Sequence, residues 1–260
     1  MTGRPLPAAA PARLVALGAS NLTRGFHAVV STARSEWGPD IEILAALGHG
    51  RSYGADSTVL VRTLPGILES GLWNRLAVLP PAATRAIVSD VGNDILYGFS
   101  PATILGWVED AIERLQKHGA DIVVAGLPKV GSDDISRAKF LFFRSLLFPR
   151  CRLSLADVSA AAVAIEEGLV RIAAARRLRF VPLRAEWYGV DPIHIRLPRW
   201  RDAWQEILCG HAMAAADRGP WGEGMRLYFM RPERQRLFGV EQVTAQPGTR
   251  LSGGGKVWLF

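Results

Sequence analysis

The chain has 260 residues, 49% of them apolar and 21% charged, which is ordinary globular composition. That length buries well over half of the unfolded surface, and the composition excludes a disordered, collagen-like or coiled-coil protein as a whole. The formal charge is +7, but the basic residues are scattered and 27 of the 31 are arginine, so composition explains the charge better than a nucleic-acid patch.

In chain order, residues 1–12 read as a flexible N-terminus. Residues 13–18 read as a strand: Leu14-Val15-Ala16-Leu17 runs straight into Gly18, too short a run for a signal-peptide core. Residues 22–37 have a helical pattern, with Phe26, Val29, Val30 and Ala33 on one face. A second strand covers 41–46. A helix is expected over 57–69, interrupted by Pro65. Residues 85–89 form a third strand. Residues 101–118 form a strong helix, with Ser100 as N-cap, Pro101 at the first helical position and Gly119 as the stop. A fourth strand covers 121–125, followed by helices over 135–147 and 156–177. A fifth strand covers 179–183, and a last helix runs over 198–215.

Strands alternating with helices imply right-handed crossovers and a parallel sheet covered on both faces. The expected fold class is therefore α/β, a three-layer domain over 13–218 with a sheet of about five strands. The tail, 219–260, is rich in Gly, Pro and Arg, with short apolar runs at 225–230, 237–240 and 256–260. It reads as a small β-rich extension, with Ser252 to Gly255 as a turn. Its apolar residues Leu227, Tyr228 and Phe229 are expected to pack on the domain or on a second copy of the chain.

In such sheets, ligands sit beyond the carboxyl ends of the strands. Four segments there could carry chemistry. Gly18-Ala19-Ser20-Asn21-Leu22 puts a serine at a strand-to-helix turn; on that segment alone, a plain helix cap is the favoured reading. Leu47-Gly48-His49-Gly50-Arg51-Ser52-Tyr53-Gly54 follows the second strand. It fails the dinucleotide fingerprint, because the third glycine would fall on Tyr53, yet its glycines let backbone N–H groups approach a ligand. Asp90-Val91-Gly92-Asn93-Asp94 follows the third strand and offers an amide that donates without titrating, or a simple turn. In Asp191-Pro192-Ile193-His194, a carboxylate three residues before a histidine can orient the imidazole as a general base. The remaining histidines, 27, 49, 118 and 211, are left as structural or solvated.

Together these segments supply a nucleophile, oxyanion donors and an oriented base, each after a strand. In that order and spacing, residues 13–216 resemble the SGNH hydrolases, also called GDSL-type esterases and lipases. The resemblance implies a flavodoxin-like three-layer α/β/α fold and a serine esterase. It implies Ser20 as nucleophile, His194 as base and Asp191 as its orienting carboxylate. It also implies an oxyanion hole from the Ser20 N–H, the Gly50 N–H and the Asn93 side chain, with Gly48 as the alternative register for Gly50. The family's Gly-Asp-Ser is Gly18-Ala19-Ser20 here, so the hydrogen bonds of that Asp must be replaced or lost. The α/β-hydrolase elbow Gly-x-Ser-x-Gly is absent.

Tyr53, Tyr97, Trp187 and Tyr188 lie near the four segments and are expected to line a substrate pocket or to join the core. The resemblance implies small carboxylic esters carrying short acyl or acetyl groups as substrates. No cofactor is expected, and no metal, since neither H-E-x-x-H nor C-x-x-C occurs. Two cysteines, Cys151 and Cys209, are too few for a disulfide scaffold, and reduced thiols fit a cytoplasmic location. No membrane span and no nucleic-acid partner are expected; pairing with a second copy would use the tail. Two other readings remain open here. One is a catalytically weak relative acting as a ligand- or partner-binding module, which Ala19 keeps alive. The other is an interaction protein using the basic tail.

Overall fold

The structure, a computed structural model, describes residues 12–128, 151–189, 191–211 and 221–260. The helix expected over 135–147 and most of the flexible N-terminus lie outside the described residues.

Strand β1 (Ala12–Leu17) is followed by helix α1 (Ser20–Trp37) and β2 (Glu42–Ala46). After α2 (Leu72–Val78), the third parallel strand, β5 (Ala83–Val88), leads through short α3 (Asn93–Leu96) to α4 (Pro101–Lys117). Then come β6 (Asp121–Ala125), α5 (Leu155–Arg176), β7 (Arg179–Val181) and α6 (Trp200–Cys209). The strands pair in parallel in the order β2-β1-β5-β6-β7, the flavodoxin-like order. All five strands read from the sequence are present.

The layering follows from alternation along β1. Leu14 and Ala16 point to one face, where they pack with Phe26 and Val30 of α1 and Trp204 and Ile207 of α6. Val15 and Leu17 point to the other, with Ile104, Val108 and Ile112 of α4 and Leu169 of α5. All four β1 residues are fully buried, as expected of a parallel strand covered on both faces. Each such aliphatic side chain contributes about 1.5–3 kcal/mol by leaving water. Helix ends follow the local chemistry. Ser100 accepts the Thr103 N–H at the start of α4. Ser154 and Asp157 form a capping box at the start of α5.

Two expectations are corrected. Residues 57–69 are not a helix. They form a hairpin, β3 (Ser57–Val59) and β4 (Arg62–Leu64), and then a 3-10 turn, Ile67–Glu69. Thr58, Val59 and Thr63 are β-branched, and Pro65 denies a helix one backbone donor. In the tail, the apolar run 225–230 lies largely within helix α7 (Trp221–Tyr228), which packs beside α1.

The rest of the tail joins the domain in two places. β8 (Arg234–Leu237) and β9 (Val240–Val243) extend the β3–β4 hairpin into a four-stranded sheet. β10 (Thr249–Arg250) and β11 (Lys256–Leu259) extend the main sheet to seven strands among the described residues, with β11 parallel to β2. The 252–255 turn is present, closed by the Gly254 N–H on Leu251 and the Leu251 N–H on Gly255.

The register sets the site. Leu17 stands opposite Ala46 and Val88, so β1, β2 and β5 end level. Their following loops, which carry Ser20, Gly50 and Asn93, emerge side by side. β1 lies between β2 and β5, where the strand order reverses.

Candidate active site

Ala19 holds the N-cap position of α1 without a side-chain cap bond of its own, and Ser20 is the first residue of the helix rather than its cap. Its Oγ instead lies 3.0 Å from Nε2 of His194, across 174 residues of sequence. Nδ1 of His194 lies 2.7 Å from Oδ2 of Asp191. Gly18 allows the approach of β1 to β5 just before the serine, because a Cβ there would lie 2.4 Å from Oγ of Ser89.

The Asp-Pro-Ile-His spacing works through the backbone. Oδ1 of Asp191 accepts the N–H groups of Ile193 at 3.0 Å and His194 at 3.2 Å, leaving Oδ2 for the imidazole. The loop is held at its far side: Ile195 is buried, and its carbonyl accepts the Trp200 indole N–H at 2.8 Å. Burial pushes the Asp191 carboxyl up. The hydrogen bond and charge of His194, with the N–H groups of Ile193 and His194, outweigh it and hold the carboxyl below its usual value. An ionised Asp191 favours the imidazole tautomer whose Nε2 can accept the serine proton.

Asn93 starts α3, and its Nδ2 donates to the carbonyl of Asp90 at 3.2 Å, leaving the second amide hydrogen for another acceptor. Gly50 adopts a positive φ of 65°, and its carbonyl accepts the Tyr97 hydroxyl at 2.8 Å, which ties this loop to the end of α3. Gly48, the alternative register, is packed against Leu64. Asp94, fully buried, accepts the Tyr53 N–H at 3.0 Å and binds the same loop from the other side. Burial pushes its carboxyl up to about 6, against the Ser52 hydroxyl and Tyr53 N–H, which favour the charged form.

A cavity of about 120 Å³ opens beside Ser20 and Asn93. Its apolar wall comes from Ile95 and Leu96, from Leu127, and from Leu155, Val158 and Ala162 in the first turns of α5. The four aromatics expected at a pocket do not line it. Tyr53 is fully buried, with its hydroxyl on the Ser89 carbonyl, and Trp187 is in the core. Tyr97 holds Gly50, and Tyr188 packs against the core. Aromatic bulk near a motif went to packing, its usual fate.

One residue escaped the sequence reading. Asp90, at the end of β5, has a left-handed φ of 57°. Its Oδ2 accepts the N–H groups of Ala19 at 2.8 Å and Leu22 at 3.0 Å, and its Oδ1 accepts the Asn21 amide at 3.0 Å. The signal was a carboxylate directly after a buried strand, inside a segment where only Asn93 and Asp94 drew attention.

No protein-family model and no curated protein matches this sequence. Solved structures do. One, with a TM-score of 0.53, is 14% identical over 76% of this chain and 94% of its own. A GDSL-like lipase from Bacteroides thetaiotaomicron has a TM-score of 0.47 at 11% identity, over 75% of this chain and 84% of its own. The psychrotrophic esterase EstA from Pseudoalteromonas sp. has 0.45 at 13%, over 75% and 95%. The likeness to the first of these is one of fold, the three-layer α/β/α arrangement with flavodoxin-like strand order described above. Among the described residues, no helix is long and apolar enough to cross a membrane.

Proposed function

We propose that this chain is a serine ester hydrolase of the SGNH type. The observation that carries the reading is the Ser20–His194–Asp191 relay, at 3.0 and 2.7 Å, at the mouth of an apolar cavity. Ser20 Oγ attacks the ester carbonyl carbon while His194 Nε2 takes its proton. The tetrahedral oxyanion is held by the Ser20 N–H, the Asn93 amide and the Gly50 N–H, with Gly48 as the alternative donor. Collapse breaks the bond to the alcohol oxygen, which leaves with the proton from His194. Water, deprotonated by His194, then attacks the acyl-enzyme; the acid leaves and Ser20 regains its proton. Asp191 keeps the imidazole oriented and stabilises it while protonated.

The cavity supports short acyl groups. At about 120 Å³ it is somewhat smaller than an apolar cavity of about 150 Å³ that binds benzene, a size that suits a short acyl chain. Ala19 left room for a weakly catalytic binding module. The bonds from Asp90 to the nucleophile turn weigh against it, since that turn does not lack acceptors. A fluorophosphonate probe tests the reading: it should label Ser20, with labelling lost in Ser20→Ala and strongly slowed in His194→Ala. Wild-type protein that resists the probe would refute it.

A further inference from the structure

We propose that Asp90 and Asn21 are a positioning pair that sets the nucleophile, the base and an oxyanion donor relative to one another; this rests on the esterase reading above. Asp90 bonds directly to the nucleophile turn and to the oxyanion donor, and reaches the loop of the base through Asn21. Its carboxylate takes the N–H groups on either side of Ser20, those of Ala19 and Leu22, at 2.8 and 3.0 Å. Neither bond is made to Ser20 itself, so the turn is clamped while the Ser20 N–H faces its own task. The main-chain carbonyl of Asp90 holds the Asn93 amide at 3.2 Å and so fixes the direction of its second hydrogen. Through Oδ1, Asp90 holds Asn21 at 3.0 Å.

Asn21 carries the link to the base. Its Nδ2 also donates to the carbonyl of Ile193 at 3.0 Å, and its Oδ1 accepts the Ile195 N–H at 2.8 Å. These two bonds bracket His194 in the chain. Asn21 is 7% exposed, so water does not compete freely for its amide. The pair thus ties the turn at 19–22, the loop at 90–93 and the loop at 193–195 into one polar network. An alanine at 19 offers no side-chain acceptor, and the carboxylate that serves this turn comes from 71 residues away.

The left-handed backbone of Asp90 separates this role from a conformational one. Glycine adopts a φ of 57° freely, so Asp90→Gly removes the carboxylate while relieving the backbone. If position 90 served only the shape of the loop, glycine would preserve turnover. If the carboxylate positions the site, turnover falls without loss of fold.

The test is steady-state hydrolysis of p-nitrophenyl butyrate by Asp90→Gly, Asn21→Ala and wild type, with thermal melts alongside. Asp90→Gly should lose about 10- to 100-fold in kcat, the scale of a small misplacement of reacting groups, with KM within about threefold. Its melting temperature should not fall below that of wild type by more than a few degrees. Asp90→Asn, which keeps an acceptor oxygen for Ala19 and Leu22, should recover part of the loss. A kcat within twofold of wild type in Asp90→Gly, or a loss confined to KM, overturns the proposal. Should Asp90→Gly not fold, Asn21→Ala decides in the same way, with the same drop expected and a kcat within twofold fatal. Wild type that neither hydrolyses the ester nor reacts with a fluorophosphonate removes the esterase reading itself. Active wild type with tolerant variants removes only the positioning pair.

Discussion

In the proposed mechanism Asn93 carries the most chemistry on one side-chain amide. One amide hydrogen is held by Asp90, and the other would meet an oxyanion that exists only in the transition state. Asn93→Ala should therefore lower kcat about 100-fold or more with little change in KM, read from initial rates on a short ester. Its neighbour Asp94 has the opposite character, a carboxyl that burial raises from its ordinary value to about 6. Because the folded state holds that proton more tightly, stability falls as pH rises from about 4 to about 6. The variant Asp94→Asn keeps an acceptor for Tyr53 and has no proton to lose. Its stability relative to wild type should rise across that window by up to ~3 kcal/mol and then level off, as measured by urea melts at several pH values. At this scale much of the site was legible. Ser20, Asn93, Asp191 and His194 lie in short segments whose residue types announce their chemistry. Asp90 was not legible, because its partners Ala19, Asn21 and Leu22 lie about 70 residues away and only the strand register brings them together.

Under the proposed esterase reading, helix α5 is the element that would limit the acyl chain. Its capping box fixes the first turn, and the face that begins there presents Leu155, Val158 and Ala162 to the cavity beside Ser20. Ala162→Leu adds about three methyl-sized groups to a 120 Å³ space. It should leave acetate turnover nearly unchanged and cut butyrate or hexanoate turnover at least tenfold. Equal losses across a p-nitrophenyl ester series would contradict the assignment of this wall. Elements differ in how openly sequence declares them. α4 has its cap, its proline and its stop written in Ser100, Pro101 and Gly119. The β3–β4 hairpin hides its turn, because Leu60, at a φ of 54°, stands where a glycine would have signalled it. Its pairing with β8, from the tail, supplies the edge that a short isolated hairpin lacks.

Over the whole molecule, the tail is a working part of the sheet. Val257, Trp258, Leu259 and Phe260 are buried, and Trp258 packs under the Arg75 guanidinium at 5.5 Å. Trp258→Ala should cost about 3–5 kcal/mol and lower the melting temperature accordingly, whereas a loosely attached appendage would tolerate it. Arginine also has an internal use that a count of charges conceals. Arg51 is fully buried and donates to the main-chain oxygens of Leu47, Pro65 and Phe260, so the loop bearing Gly50 is tied to β4 and to the tail. Burial pushes its guanidinium down to about 9. That the central strands run parallel was readable from alternation, whereas their flavodoxin-like order was implied only by the family resemblance. The docking of β11 on β2 was not, because a four-residue apolar run fits many edges and only packing selects one.

All of this serves one relay, and the most direct measurement addresses it: hydrolysis of p-nitrophenyl acetate and butyrate by wild type and Ser20→Ala, prepared side by side. The account predicts turnover by wild type and none above background in the variant, with both proteins melting alike. Equal rates in the two proteins would contradict it, since the bond-making oxygen would then lie elsewhere than on Ser20.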